Sequence, residues 1–107
     1  MKHLVSIIMN CRNGQEYLRE SINSVINQTY NNWELIFVDN ASTDKSKDIF
    51  YLYKDDRMKY LHLEKPLNLG SARQIALENC NGEYISFLDT DDIWFKKKIE
   101  KQITYFE

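Results

Sequence analysis

The sequence predicts a doubly wound α/β fold, a mostly parallel sheet of about four strands alternating with helices, and three observations predict it. Short apolar runs rich in β-branched residues alternate four times with segments whose apolar residues recur at helical spacing. Every strand-to-helix junction is rich in Asn, Asp, Ser, Thr or Gly. No strand is followed directly by another strand, so each return needs a helical crossover, and right-handed crossovers set the strands parallel.

The first strand is "LVSIIM" (Leu4 to Met9), which runs into the loop "NCRNG". In "EYLRESINSVINQ" Leu18, Ile22, Val25 and Ile26 form one face of a helix, which "TYNN" closes. "WELIFV" (Trp33 to Val38) is the second strand. "DNASTD" follows with turn-forming residues, and Ser42 or Thr43 is expected to cap a helix whose Ile49, Phe50 and Tyr53 share a face. "KYLHL" is the third strand. After the loop "EKPLNLG", the helix "SARQIALENC" has Ala72, Ile75, Ala76 and Leu77 on or near its inner side, and Asn81 with Gly82 ends it. "EYISFL" is the fourth strand, and a last helix is expected from about Phe95, with Ile99, Ile103 and Phe106 inward.

At 107 residues the chain is one domain at most, large enough for a real core. With 14 basic and 16 acidic residues the net charge is −2, which removes the basic field that nucleic-acid binding needs. No apolar run approaches the ~18 residues that span a bilayer. The start "MKHLVSIIMN" has neither a long apolar core nor a small-residue cleavage site. A cytoplasmic protein, peripheral to a membrane at most, is expected. Cys11 and Cys80 make neither a disulfide framework nor a metal motif and read as apolar fillers in a reducing compartment.

The stretch "YISFLDTDDIW" places Asp89, Asp91 and Asp92 within four positions at the end of a strand. Two carboxylates about 5 Å apart repel by roughly 3 kcal/mol at an effective dielectric near 20, less where water screens them. In open α/β sheets the ligand lies beyond the carboxyl ends of the strands. The clusters "NCRNG", "DNASTD", "PLNLGSAR" and "DTDD" all fall there. Three acidic side chains at such an edge suit a hard divalent cation, Mg²⁺ or Mn²⁺, that leaves positions open to water or phosphate. The plainer alternative is that Asp91 or Asp92 caps the final helix while the others face solvent.

The stretches "VSIIMNCRNGQEYLRESINSVINQTYNNWELIFVDNASTD" and "NLGSARQIALENCNGEYISFLDTDDIW" resemble the nucleotide-binding half of an inverting family 2 glycosyltransferase of the GT-A fold, across essentially the whole chain. The resemblance implies that residues 1–107 form a single nucleotide-sugar-binding domain, a fragment of a longer enzyme with a truncated GT-A sheet. It implies a sugar-nucleotide donor and Mn²⁺ or Mg²⁺, with Asp91 and Asp92 as the metal and ribose contacts and Asp89 nearby. Asp39 and Asn40 would face the nucleobase and ribose, together with the first loop, Cys11, Arg12 and Asn13, while Arg73 falls on the family's "AR" near the donor. Two positions depart from the family's pattern: Arg12 stands where Tyr is common, and Asn40 where many members have Asp. Asn offers both donors and an acceptor where Asp only accepts, so the base read could shift. UDP is the default donor nucleotide, with dTDP and GDP open.

The family's catalytic base lies beyond the acidic motif, so no catalytic residue is expected in this chain. His3 and His62 read as structural or exposed. The implied acceptor is a glycan or a lipid-linked saccharide, as in polysaccharide biosynthesis. "FKKKIEK" supplies Lys96, Lys97, Lys98 and Lys101, read first as a solvated helix face and second as an attraction for anionic headgroups or an acidic acceptor. Two alternatives stand beside the enzyme: a non-catalytic nucleotide-binding or scaffold module of the same fold, and a phosphate-accepting receiver domain. Against the receiver, the paired acids follow the fourth strand and the first strand has no acid pair.

Overall fold

A computed structural model describes residues 3–106. Strands and helices alternate as β1 (Val5–Cys11), α1 (Leu18–Ile26), β2 (Trp33–Asn40), α2 (Ser46–Phe50), β3 (Met58–Leu63), α3 (Leu69–Glu78), β4 (Tyr84–Phe87) and α4 (Lys98–Phe106). All pairings are parallel, in the order β3-β2-β1-β4. The chain steps outward from β1 through β2 to β3, then crosses back through α3 to lay β4 on the other side of β1. Strand order therefore reverses between β1 and β4, and a crevice opens at the carboxyl ends of such a pair.

The central strands carry unbroken apolar runs because both of their faces are covered. On one face Ile7, Met9, Leu35 and Phe37 pack with Leu18, Ile22 and Val25 of α1, Ile49 and Phe50 of α2, and Ile99 and Ile103 of α4. Burying one such side chain contributes about 1.5–3 kcal/mol. On the other face Ile8, Ile36 and Val38 pack with Ala72 and Ala76 of α3, flanked by the half-buried Leu61, Leu63 and Cys80. Two alanines bury little area, so α3 is held largely by polar clasps at its flanks. At the amino end of β2 the Glu34 carboxylate accepts from the Ser6 hydroxyl (2.5 Å), the Asn81 amide (2.6 Å) and the Lys59 ammonium (2.9 Å). Burial pushes its pKa up, but these donors bring it down to about 2. Gly82 completes the contact: a Cβ there would stand 2.6 Å from the Ser6 amide nitrogen.

Several boundaries differ from the sequence reading for tertiary reasons. β1 and β2 run two residues past their apolar stretches, since Cys11 pairs with Asp39, and Asn40 with Leu63. Neither Ser42 nor Thr43 caps α2, which begins at Ser46. Ser42 instead accepts the Asn13 amide, and Asp44 accepts the Ser46 amide at 2.9 Å. Tyr53 lies beyond that short helix yet still packs on the same core. α3 begins earlier than expected, capped by Asn68, and Leu77 faces outward at 40% exposure. α4 starts at Lys98 and not near Phe95, which is exposed. Ile99 and Ile103 are buried as expected, while the Phe106 side chain lies outside the described residues. Among the described residues no helix is long and apolar enough to cross a membrane.

Candidate functional site

Three loops meet at the carboxyl end of β1. The loop after β1 is strapped to the loop after β2 by side-chain-to-backbone hydrogen bonds. Asn13, in the left-handed region at φ 55°, accepts the Thr43 and Asp44 amides at 2.7 and 3.2 Å. Gly14 donates to the Ser46 hydroxyl at 3.1 Å, Gln15 to the Asp44 carboxylate at 3.1 Å, and Lys45 to the Gln15 side chain at 2.9 Å. Although burial raises the Asp44 pKa, bonds from Ser46 and Gln15 hold it below the ordinary carboxylate value.

The loop after β4 lies against the first. A Cβ at Gly14 would stand 2.8 Å from the Thr90 hydroxyl, so glycine permits the approach. From α1, the fully buried Ser21 hydroxyl shares its proton between the carbonyls of Thr90 (2.8 Å) and Asp92 (2.5 Å). Further along, buried Gln28 donates to the Phe95 carbonyl (2.8 Å) and accepts the Ile99 amide (3.0 Å), which fixes the path into α4. The acid-bearing backbone is thus held from α1 on both sides.

On that loop Asp89, Asp91 and Asp92 are all exposed, with one carboxylate oxygen of each within 4.8 Å of the others. Among the described residues no donor or cation pairs with any of the three. The helix-capping alternative fails, because α4 begins six residues after Asp92. A trio of convergent, unpaired carboxylate oxygens is the donor set a hard divalent cation takes, so the residues present fit Mn²⁺ or Mg²⁺.

The other predicted residues divide by exposure. Arg12 and Asn13 face solvent at the rim. The Cys11 side chain is buried in the core, and burial raises its thiol pKa. Asp39 is 1% exposed; one oxygen accepts the Ser42 amide at 3.0 Å and the other the Tyr60 hydroxyl. Burial, and then the bond to Asp39, holds the Tyr60 phenol well above its ordinary pKa. Asn40 is also buried and grips the backbone of Leu67. The Arg73 guanidinium lies over the Phe87 ring, 4.8 Å from its centroid. His3 bonds Glu83 at 2.6 Å, and His62 is exposed on β3.

Sequence reasoning missed Asn10, which shares the α3 face with Asn40. Its side-chain oxygen and the Arg73 Nε are both buried and lack a hydrogen-bond partner. Buried orphans of this kind are normally satisfied by protein, water or ligand. Ser21 and Gln28 were missed as well, since nothing local marks a serine or glutamine that reaches about seventy residues ahead.

Of the lysines, Lys96, Lys97 and Lys101 are exposed, whereas Lys98 has its ammonium 4.4 Å from the Trp94 ring centroid, and burial lowers its pKa.

The profile described as "Glycosyl transferase family 2" matches residues 6–107. A protein of Bacillus subtilis (strain 168) named for teichuronic acid biosynthesis, TuaG, is 41% identical over 106 residues, covering 97% of this chain and 42% of its own. The Escherichia coli UDP-Glc:alpha-D-GlcNAc-diphosphoundecaprenol beta-1,3-glucosyltransferase WfgD is 42% identical over 102 residues, covering 95% of this chain and 40% of its own. Among solved structures, S. aureus TarS 1-349 in complex with UDP superposes with a TM-score of 0.91 at 29% identity, over 99% of this chain and 32% of TarS. TarS was also solved with UDP-GlcNAc. The chain therefore spans about two fifths of the length of these two relatives.

Proposed function

The chain belongs to glycosyl transferase family 2, and from that membership we propose that it is the donor-binding domain of a longer glycosyltransferase that moves a sugar from a nucleoside diphosphate to an acceptor hydroxyl. The observation that carries this reading is the trio Asp89, Asp91 and Asp92, convergent and without internal partners at the reversal of strand order. Asp91 and Asp92 would hold Mn²⁺ or Mg²⁺, with Asp89 and Asp91 near the ribose. When bound, the ion supplies Lewis-acid stabilisation of the negative charge that gathers on the departing diphosphate. Arg12, Asn13 and Arg73 would contact the nucleotide directly. Cys11, Asp39 and Asn40 would form the floor of that subsite, acting through backbone and neighbours because their side chains are buried.

Transfer is proposed to invert the anomeric carbon. The acceptor oxygen bonds that carbon from one face as its bond to the diphosphate oxygen breaks on the other, and the diphosphate leaves with the electron pair. A base takes the hydroxyl proton, and it is proposed to lie beyond residue 107. UDP is the favoured donor nucleotide, supported by TarS having been solved with UDP and UDP-GlcNAc; dTDP and GDP are the alternatives. The name of WfgD supports a glycan or lipid-linked acceptor, and thus work at the cytoplasmic membrane face in polysaccharide biosynthesis.

Calorimetric titration with UDP, dTDP and GDP, each with and without Mn²⁺, tests the reading. Metal-dependent binding that disappears in Asp91→Asn/Asp92→Asn is the expected outcome. A folded protein that binds none of the three overturns it in favour of a scaffold role.

A further inference from the structure

We infer that Asn40, which the family pattern would put against the nucleobase, is a positioning residue that sets the height of α3 and hence of Arg73. The inference rests on the donor-binding reading. Both atoms of the Asn40 amide are engaged inside the chain. Its nitrogen donates to the Leu67 carbonyl at 2.7 Å and its oxygen accepts the Leu67 amide at 2.9 Å. A side-chain amide is the group that can pair with a backbone unit in both directions, because it carries a donor and an acceptor side by side. Aspartate could make only one of the two bonds. The residue is 8% exposed, so water does not compete for the pair.

Leu67 directly precedes Asn68, whose side chain accepts the Ser71 amide at 2.8 Å and starts α3. Arg73 stands on the turn that follows, over Phe87. The helix between has only Ala72 and Ala76 buried beneath it. Its two flanks are tied to β2, the exit by Glu34 on Asn81 and the entrance by Asn40 on Leu67. The four residues from Glu34 to Asn40 that share this face thus alternate as clasp, apolar contact, apolar contact, clasp. With so little apolar area to fix the helix, the entrance clasp decides where the Arg73 guanidinium reaches the crevice.

The test uses the complete protein with Mn²⁺ present. Asn40→Ala should weaken UDP, dTDP and GDP by the same factor, about tenfold, as expected when a supporting contact is lost. Asn40→Asp, which keeps the bond from the Leu67 amide but sets its other oxygen against the Leu67 carbonyl, should also weaken all three by one common factor. Arg73→Ala should weaken binding as well, and adding Asn40→Ala to it should change affinity by less than about twofold, the non-additivity of two residues that act as one. Hydrogen exchange at the Leu67 amide should speed up in Asn40→Ala without nucleotide. Additive losses from the two sites, or an altered order of preference among the three nucleotides in Asn40→Asp, would overturn the inference and make Asn40 a direct reader of the base. A wild type that binds no nucleotide overturns the donor reading itself, and the positioning role with it.

Discussion

At the amino end of the sheet the Glu34 carboxylate is 6% exposed and takes hydrogen bonds from Ser6, Lys59 and Asn81, whereas at the carboxyl end Asp89, Asp91 and Asp92 stand exposed and unpaired within 4.8 Å of one another. The same functional group has opposite surroundings at the two ends of one parallel sheet. Where the fold uses a carboxylate, it surrounds it with donors, because a buried charge without them would be destabilising by several kcal/mol. Where a carboxylate is left beside two others with no donor, the repulsion is relieved only by something from outside the chain. The exposed trio nevertheless sits on a rigid base: Ser21, Gly14 and Gln28 fix its backbone while its side chains stay free for a ligand.

The comparison breaks most sharply if the two ends respond alike to mutation. Asp91→Asn with Asp92→Asn should cost nucleotide binding ~4 kcal/mol, since a metal supplies several kcal/mol of charge stabilisation. Thermal stability should stay unchanged or rise as the repulsion is relieved, and calorimetry beside a melting curve separates the two effects. Gly82→Ala should do the reverse. With its Cβ 2.6 Å from the Ser6 amide nitrogen, it should lower stability by about 3 kcal/mol, in line with overpacked sites, and leave affinity unaltered in the folded fraction under denaturant titration.

Glu34→Gln should cost about 2 kcal/mol at neutral pH by leaving Lys59 without its anion. Its pH dependence sharpens the point. The folded-state pKa lies below the unfolded value of 4.5, at about 2, so the stabilisation is full above pH 4.5 and is lost as pH falls toward 2. Acid melting curves of the wild type should drop through that window, and those of Glu34→Gln should drop less. The smallest effect is expected from Ser21→Ala, about 1 kcal/mol of stability for one hydroxyl bond. Because that hydroxyl holds the Thr90 and Asp92 carbonyls, metal-dependent affinity should fall with it, by severalfold. An unchanged affinity would mean that the acid loop keeps its shape without α1.

The acids themselves were legible in the sequence because they fall within four positions and follow an apolar run. The rest of the site was legible only as positions. Cys11 and Asp39 were read as loop residues just past the first two strands, whereas both lie within those strands; their inward orientation follows from strands that continue two residues past the apolar pattern, which only pairing with a neighbour reveals. Ser42 looked like a cap for the next helix, yet its hydroxyl is taken by the Asn13 amide from another loop. Arg73 was located by family pattern; its stacking on Phe87 depends on β4 lying beside β1.

By itself the sequence determined the alternation of strands and helices, the parallel sheet, the two-faced core and the acidic edge, because hydrophobic period and turn chemistry act over a few neighbouring residues. The tertiary structure alone decided the strand order that makes a crevice beside β1, the late start of α4, and the partners of Glu34, Asp39 and Asn40. Apart from Ser42, three residues from Asp39, those partners lie 21 to 47 residues away along the chain, and no local rule ties a carboxylate or amide to a donor at that distance until the sheet has brought them together.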